Sequence, residues 1–407
     1  MEAYLIDLFS VIVRWLHLIT GIAWIGASFH FVWLDNSLDA PTDEESKQGI
    51  KGSLWAIHGG GIYSFSKYQL APPEWPSVLH WSKWEAYSTW LTGTLLMVAV
   101  YYLQAQSYLV GPDNWVTDPR LAVLVSLAYV FGGLGLFELT IRTSLRTNQR
   151  AFAIAVALSI VLLAWLATRL FSDRAAFLHI GALMGTIMAG NVFFGIIPAQ
   201  KRFVAAVEAG GQPDAAAAAF AKQRSTFNNY FTLPVLFCMI SNHYPFLYAH
   251  AWNWVILVAI LGITAYARHF FNLRHRGIIR PGILIRAALA FVVLAGLLGV
   301  DRYQSSQAIL QHTGAEIVDS AVVTDTPITD AQALQILASH CTGCHARVPT
   351  QAGFAAAPGG IVLESLEQLG QYRQQAMTAV STGYMPLANM TGMTPAQRVG
   401  LMTWLNE

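Results

Sequence analysis

The run Cys341-Thr342-Gly343-Cys344-His345 decides the fold of the C-terminal part of the chain. Two cysteines three positions apart, followed at once by a histidine, form the attachment pattern of c-type haem. Each thiol adds to one vinyl group of the porphyrin, and the adjacent imidazole ligates the iron. A zinc ribbon would need a second ligand pair, and a thioredoxin-like dithiol would need no histidine. Cys238 is the only other cysteine, so the motif predicts one covalent haem c ligated by His345.

The sequence on either side of this motif predicts a small helical domain. A helix begins at Thr329 or Asp330, and Thr394-Pro395-Ala396-Gln397 caps a last helix. Between them, Met385 is predicted as the second axial ligand of the iron, because Pro386 stiffens the loop that presents it. Met390 and Met393 are rival ligands. The arrangement resembles a small class I cytochrome c domain, in which His/Met ligation suits electron transfer.

The rest of the chain has the composition of a membrane protein. The 407 residues are 55% hydrophobic and only 12% charged, whereas soluble domains carry about a quarter charged residues. Three domains are predicted: a membrane domain over 1–300, a polar linker over 301–328 and the cytochrome c domain over 329–407. The net charge of +1 and the lack of a basic block indicate no nucleic-acid partner.

Eight apolar stretches reach the length of about 20 residues that a helix needs to cross a bilayer. They lie near 5–34, 84–107, 119–141, 151–171, 176–198, 229–249, 251–271 and 280–300. The first is too long for a cleaved signal peptide and lacks a basic n-region. The predicted fold is therefore all-α, with about eight transmembrane helices in a polytopic bundle followed by the class I cytochrome c domain.

The distribution of Lys and Arg predicts the orientation of this bundle. With the N-terminus outside, sixteen basic residues fall in cytoplasmic segments and three in outer loops, which is a strong positive-inside bias. Haem c is attached on the outer side of bacterial inner membranes. The chain is therefore predicted to lie in lipid as a multi-pass protein of the bacterial inner membrane, with its N-terminus and cytochrome c domain in the periplasm.

Ionisable residues inside the predicted spans are functional candidates, because charge at membrane depth is costly. They are Arg14, His17, His30, Glu138, His179 and His243. His17 and His179 open two spans in similar short motifs and are residues that can ligate a b-type haem or a copper ion. His30, thirteen positions after His17, would place a second redox site at another depth. The alternative for each is a hydrogen-bonded core residue.

A glycine-rich segment, His58 to Gly61, lies in the predicted cytoplasmic region. It is not a phosphate loop, because no GK[ST] follows. Close approach to a flat ligand is one interpretation. A tight turn at the membrane surface is the interpretation we favour.

The whole chain resembles one family, the bacterial integral-membrane urate oxidases with a fused cytochrome c. The resemblance rests on Arg14-Trp15-Leu16-His17-Leu18, on Ala23-Trp24-Ile25-Gly26-Ala27-Ser28-Phe29, on the segment from Trp55 to Gly61, on the eight spans and on the terminal CxxCH domain. It implies urate catabolism, in which urate is oxidised to 5-hydroxyisourate. It also implies that electrons reach the fused haem and then a soluble cytochrome c or a terminal oxidase.

A urate site needs a cation for the anion, a base for a proton and a flat slot. By residue type, the candidates are Arg14, His17, His58, Lys67 and Glu138. The alternative function is a respiratory or haem- or copper-handling membrane protein whose cytochrome c domain exchanges electrons with quinol or another donor.

Overall fold

The computed structural model describes residues 2–407 except 112–113, 249, 275–276, 320–327, 352–353, 355–356, 359–360 and 382. The N-terminal part comprises α1 (Glu2–Asn36), α2 (Asp43–Lys47), β1 (Ile50–His58), β2 (Gly61–Tyr68), α3 (Trp84–Leu96), α4 (Ala105–Tyr108), α5 (Pro119–Arg142), α6 (Gln149–Leu170), α7 (Asp173–Gly190), α8 (Ile197–Glu208), α9 (Ala215–Ile240), α10 (Pro245–Tyr248), α11 (Asn253–Arg274) and α12 (Gly282–Asp319). The C-terminal part comprises α13 (Asp330–His340), α14 (Leu366–Gln371), α15 (Arg373–Ser381) and α16 (Pro395–Asn406). The fold is therefore mostly helical, as the sequence predicts.

Six helical segments of the described chain are long and apolar enough to cross a membrane. They are Leu8–Asn36, Pro119–Arg142, Gln149–Leu170, Asp173–Glu208, Asn253–Arg274 and Gly282–Asp301. The other two predicted spans are helical as well. The first is α3, which continues as a π-helix over Met97–Tyr102, and the second is α9, which contains Pro234. A count of eight spans stays a prediction.

Local sequence signals explain where the long helices begin. The side chain of Asp118 accepts from the amide of Leu121 at 2.7 Å, and Pro119 occupies the first turn of α5. Asn148 and Asp214 cap α6 and α9 in the same way. Side-chain caps satisfy amides that have no partner within the helix.

The core of the bundle is centred on α7. Most of its side chains are buried, and they pack among α3, α5, α6 and α9. Gly181 permits the approach of α9, because a Cβ atom there would lie 2.6 Å from the Cβ of Cys238. The polar groups discussed below are held among these packed helices.

Residues 50–68 form a β-hairpin, so the all-α prediction is wrong for this segment. Strands β1 and β2 pair antiparallel, with His58 opposite Gly61. Gly59 and Gly60 connect them with φ of 57° and 82°, the left-handed conformation that a two-residue hairpin turn favours. The predicted tight turn at His58 to Gly61 is therefore confirmed, and its place at the membrane surface stays a prediction.

The C-terminal helices enclose a second hydrophobic core. It is formed by Ile336, Leu337, Leu363, Leu369, Val380, Met393, Leu401 and Leu405. Thr329 and Thr394 form capping boxes at the starts of α13 and α16, as predicted. Helix α12 runs to Asp319 and so includes much of the predicted linker 301–328, of which 320–327 lie outside the described residues. The proposed domain boundaries stay predictions.

The two parts touch at one end of the bundle. Tyr384 packs against the core of the helical bundle, and the ring of Phe354 lies 6.0 Å from that of Tyr108. The loop before the predicted iron ligand Met385 therefore contacts the helical bundle.

Candidate functional site

The CxxCH motif forms one tight turn after α13. The amides of Cys344 and His345 donate to the carbonyl of Cys341 at 3.2 and 2.9 Å. Both cysteines are free thiols. Burial raises the pKa of Cys341 to about 11 and also raises that of Cys344. A redox dithiol depends on a lowered thiol pKa, and burial shifts the pKa of both thiols in the opposite direction.

His345 is held in the orientation that an iron ligand requires. The imidazole is buried, and its Nδ1 donates to the carbonyl of Ile361 at 2.9 Å. Such a bond fixes the ring and leaves Nε2 for a metal. Two thiols and one oriented imidazole on a single turn fit haem c.

The structure distinguishes two of the three methionines. Met393 is buried in the second core, whereas Met385 is half-buried in the loop that contacts the bundle. The amide of Met385 donates to Ala379 at 3.0 Å, and its carbonyl accepts from Arg398 at 2.7 Å. Met385 as the axial ligand stays a prediction, with the half-buried Met390 as its rival.

His17 and His179 lie in different surroundings. Nδ1 of His17 lies 3.1 Å from both the Thr89 carbonyl and the Thr92 hydroxyl of α3. His179 is fully buried, and it uses both ring nitrogens, Nδ1 with the Ala175 carbonyl and Nε2 with the Ser126 hydroxyl, each at 2.7 Å.

His179 also stacks on Phe171 at 4.0 Å between ring centroids. With both nitrogens bonded, it has the contacts of a core histidine and no nitrogen left for a metal. No group of three or more metal-ligating side chains suited to an ion occurs among the described residues. An intramembrane haem b or copper centre stays a prediction without support from these contacts.

Glu138 lies in a network of hydrogen-bonded polar side chains. It forms an ion pair with Arg224, which is fully buried, and its second oxygen accepts from Nη2 of the same arginine at 2.9 Å. Arg142 also donates to Glu138, at 3.2 Å. Asn191 accepts from Arg224 at 3.0 Å and donates to Asn228 at 2.8 Å. The carboxylate therefore neutralises a buried cation, a role that sequence analysis missed.

The other predicted catalytic residues lie in different surroundings. Arg14 and His58 are exposed, the latter at the hairpin turn. Lys67 forms an ion pair with Asp35 of α1, which also binds Lys222 at 2.7 Å. These contacts join the hairpin to α1 and α9. Their catalytic roles stay predictions.

A cavity of about 510 Å³ lies between α1, α9 and α11. Its walls are formed by Phe29, His30, Trp33, Leu233, Arg268 and Phe271. His30 is the only residue of this set that the sequence analysis put forward, as a cofactor ligand. Arg268 is among the basic residues predicted to be cytoplasmic, although the predicted span 251–271 includes it; the cost of an arginine inside a span is the signal that could have found it.

Arg268 supplies this cavity with a buried positive charge. Only 4% of the residue is exposed, and its guanidinium carbon lies 3.9 Å from the centroid of the Phe29 ring. Nε donates to Asn229 at 2.9 Å, while Nη2 has no acceptor among the described residues. No described carboxylate pairs with it.

Comparison with known proteins identifies the N-terminal region. The sequence model of the family described as urate oxidase N-terminal matches residues 3–298, which is more than half of the chain. No curated protein and no solved structure matches the chain. The matched region contains the bundle and the cavity and ends before the CxxCH motif.

Proposed function

We propose, because the chain belongs to the urate oxidase N-terminal family, that it converts urate to 5-hydroxyisourate and passes the electrons to its fused haem c. The observation that carries this proposal is one of order along the chain. A region matching a urate-related oxidase, an oxidoreductase, is followed in the same polypeptide by a CxxCH turn whose thiols and imidazole fit haem c. The oxidase and its electron acceptor are thereby one molecule.

The reaction balances without molecular oxygen. Urate and one water molecule give 5-hydroxyisourate, two protons and two electrons. The added oxygen atom comes from water, and one C–O bond forms at the purine carbon that is oxidised. Haem c, when bound, accepts one electron at a time. A soluble cytochrome c or a terminal oxidase is the proposed final acceptor.

The proposed location is the bacterial inner membrane, with the cytochrome c unit in the periplasm. Six apolar helices are compatible with a membrane protein, and the Lys and Arg distribution favours an outside N-terminus. The contact of Tyr384 with the bundle core supports electron transfer between the two parts. It keeps the Met385 loop against the helices.

Anaerobic reduction tests the function directly. The protein is purified in detergent with its haem oxidised, urate is added, and the visible spectrum is recorded together with a pyridine haemochrome assay. We expect a reduced c-type α-band and the absorbance of 5-hydroxyisourate. A haem that dithionite reduces and urate does not would overturn the proposal. Reduction by quinol in that sample would then favour the alternative electron-transfer function.

A further inference from the structure

We infer that the cavity lined by Phe29, His30, Trp33, Leu233, Arg268 and Phe271 binds a flat heteroaromatic anion. Resting on the proposed function, we assign that anion as urate. The inference gives the substrate a site and gives Arg268 a role in binding it.

Arg268 places an uncompensated charge beside the cavity. An ionised side chain is costly to bury unless it is paired. Arg268 is 4% exposed and has an amide oxygen of Asn229 as an acceptor, but no described carboxylate. One terminal nitrogen, Nη2, has no acceptor among the described residues. An anion in the cavity would supply the missing charge and the missing acceptor.

Aromatic side chains form much of the cavity wall. Arg268 lies over the ring of Phe29, and Trp33 and Phe271 add further rings to the lining. Planar aromatic faces suit a planar bicyclic ligand, and a guanidinium fork binds two adjacent acceptors of such a ligand in its plane. The volume of about 510 Å³ lies within the range of small-molecule sites, about 300–1,000 Å³.

His30 lies both in the cavity wall and beside the hairpin. His30 contributes an imidazole to the wall, and its ring centroid lies 6.4 Å from that of Phe65 in β2. The cavity is therefore adjacent to the hairpin. An imidazole beside the ligand can accept one of the two protons that oxidation of urate releases.

Binding without turnover separates the site from the chemistry. The purified protein, with its haem fully reduced by dithionite, is equilibrated with urate by dialysis, and Kd is measured for four chains. These are the wild type, Arg268→Gln, Arg268→Lys and the control Arg286→Gln. Arg286 is matched in type, because it too lies against a ring, that of Tyr266, and donates through Nε at 2.9 Å. It does not line the cavity.

We expect Arg268→Gln to raise Kd by about 10- to 100-fold, which is the loss of one charge-assisted hydrogen bond or slightly more. Arg268→Lys should retain part of the affinity, because it keeps the charge and loses the planar fork. Arg286→Gln should bind as the wild type does. If the Kd of Arg268→Gln equals that of the wild type while urate still reduces the wild-type haem, the site is overturned and the proposed function stands.

A second variant covers the case in which Arg268→Gln does not fold. Folding is judged from monodisperse elution and an intact reduced c-type spectrum. Phe29→Leu keeps the charge and removes the aromatic face, and we expect it to raise Kd about tenfold. Wild-type affinity in Phe29→Leu and Arg268→Lys together would exclude the cavity. A wild type that neither binds urate nor is reduced by it would overturn the proposed function itself.

Discussion

Two buried arginines in the bundle, Arg224 and Arg268, have opposite surroundings. Arg224 lies against Glu138, with Asn191 as a further acceptor. Arg268 has Asn229 and the face of Phe29 but no described carboxylate, and it lines a cavity. Burying a charged side chain is costly in both places.

The difference indicates which arginine is available to a substrate. The Glu138 carboxylate already supplies the counter-charge that Arg224 requires, although Nε of Arg224 has no acceptor among the described residues; an added anion would compete with that carboxylate. Arg268 has an unfilled requirement of the same kind. Burial of a charge therefore does not identify a binding site by itself. The set of partners decides between an internal ion pair and a ligand-binding cation.

The largest expected change in stability comes from breaking the ion pair between Glu138 and Arg224. Glu138→Gln should destabilise the protein by about 3–5 kcal/mol, because it leaves Arg224 buried without a counter-charge. Thermal unfolding in detergent, followed by circular dichroism, measures the change.

The control for this variant is Glu138→Gln combined with Arg224→Met. The double variant should recover most of the lost stability, since removing both charges of a buried pair is often nearly neutral, and it should bind urate as the wild type does. A double variant that folds normally and has lost urate binding would instead place Glu138 or Arg224 in the substrate site, as the sequence analysis proposed for Glu138.

A smaller change in stability is expected when urate binds beside Arg268. Urate at about 100 times its Kd should stabilise the haem-reduced wild type by about 2.7 kcal/mol through mass action. The same concentration should protect Arg268→Gln much less, because its affinity is lower. The shift in Tm with and without urate is the measurement. Equal protection of both chains would mean that urate binds away from Arg268.

The haem motif can be recognised in the sequence, whereas the cavity beside Arg268 cannot, for a physical reason. The donors of the motif lie within five residues, and capping at Thr329 and Thr394 is equally local. Whether Arg268 has a partner depends instead on α1 and α9, which contribute Phe29 and Asn229 from distant parts of the chain. Residue type alone cannot distinguish it from Arg224.

The hairpin and His179 show two other limits. Residues 50–68 carry a local signal, since two glycines separate runs with β-prone residues, but the apolar composition of the chain favoured helices throughout. His179 was a candidate ligand because it is an ionisable residue in a span. Its bond to the Ala175 carbonyl lies within one helix, but its bond to the Ser126 hydroxyl joins two helices, and only the packed bundle reveals that proximity.

The smallest expected effect concerns Lys67, a charge that is paired but only half-buried. Two lysines share Asp35, and both burial and the neighbouring Lys222 lower the pKa of Lys67. Partly exposed ion pairs contribute about 0–1 kcal/mol, so Lys67→Met should change the free energy of unfolding by less than about 1 kcal/mol. The urate Kd, measured by the same dialysis, should stay within about twofold of the wild type. A loss of affinity comparable to that of Arg268→Gln would extend the substrate site to the hairpin. The presence of a paired carboxylate would then no longer distinguish a structural cation from a substrate-binding one.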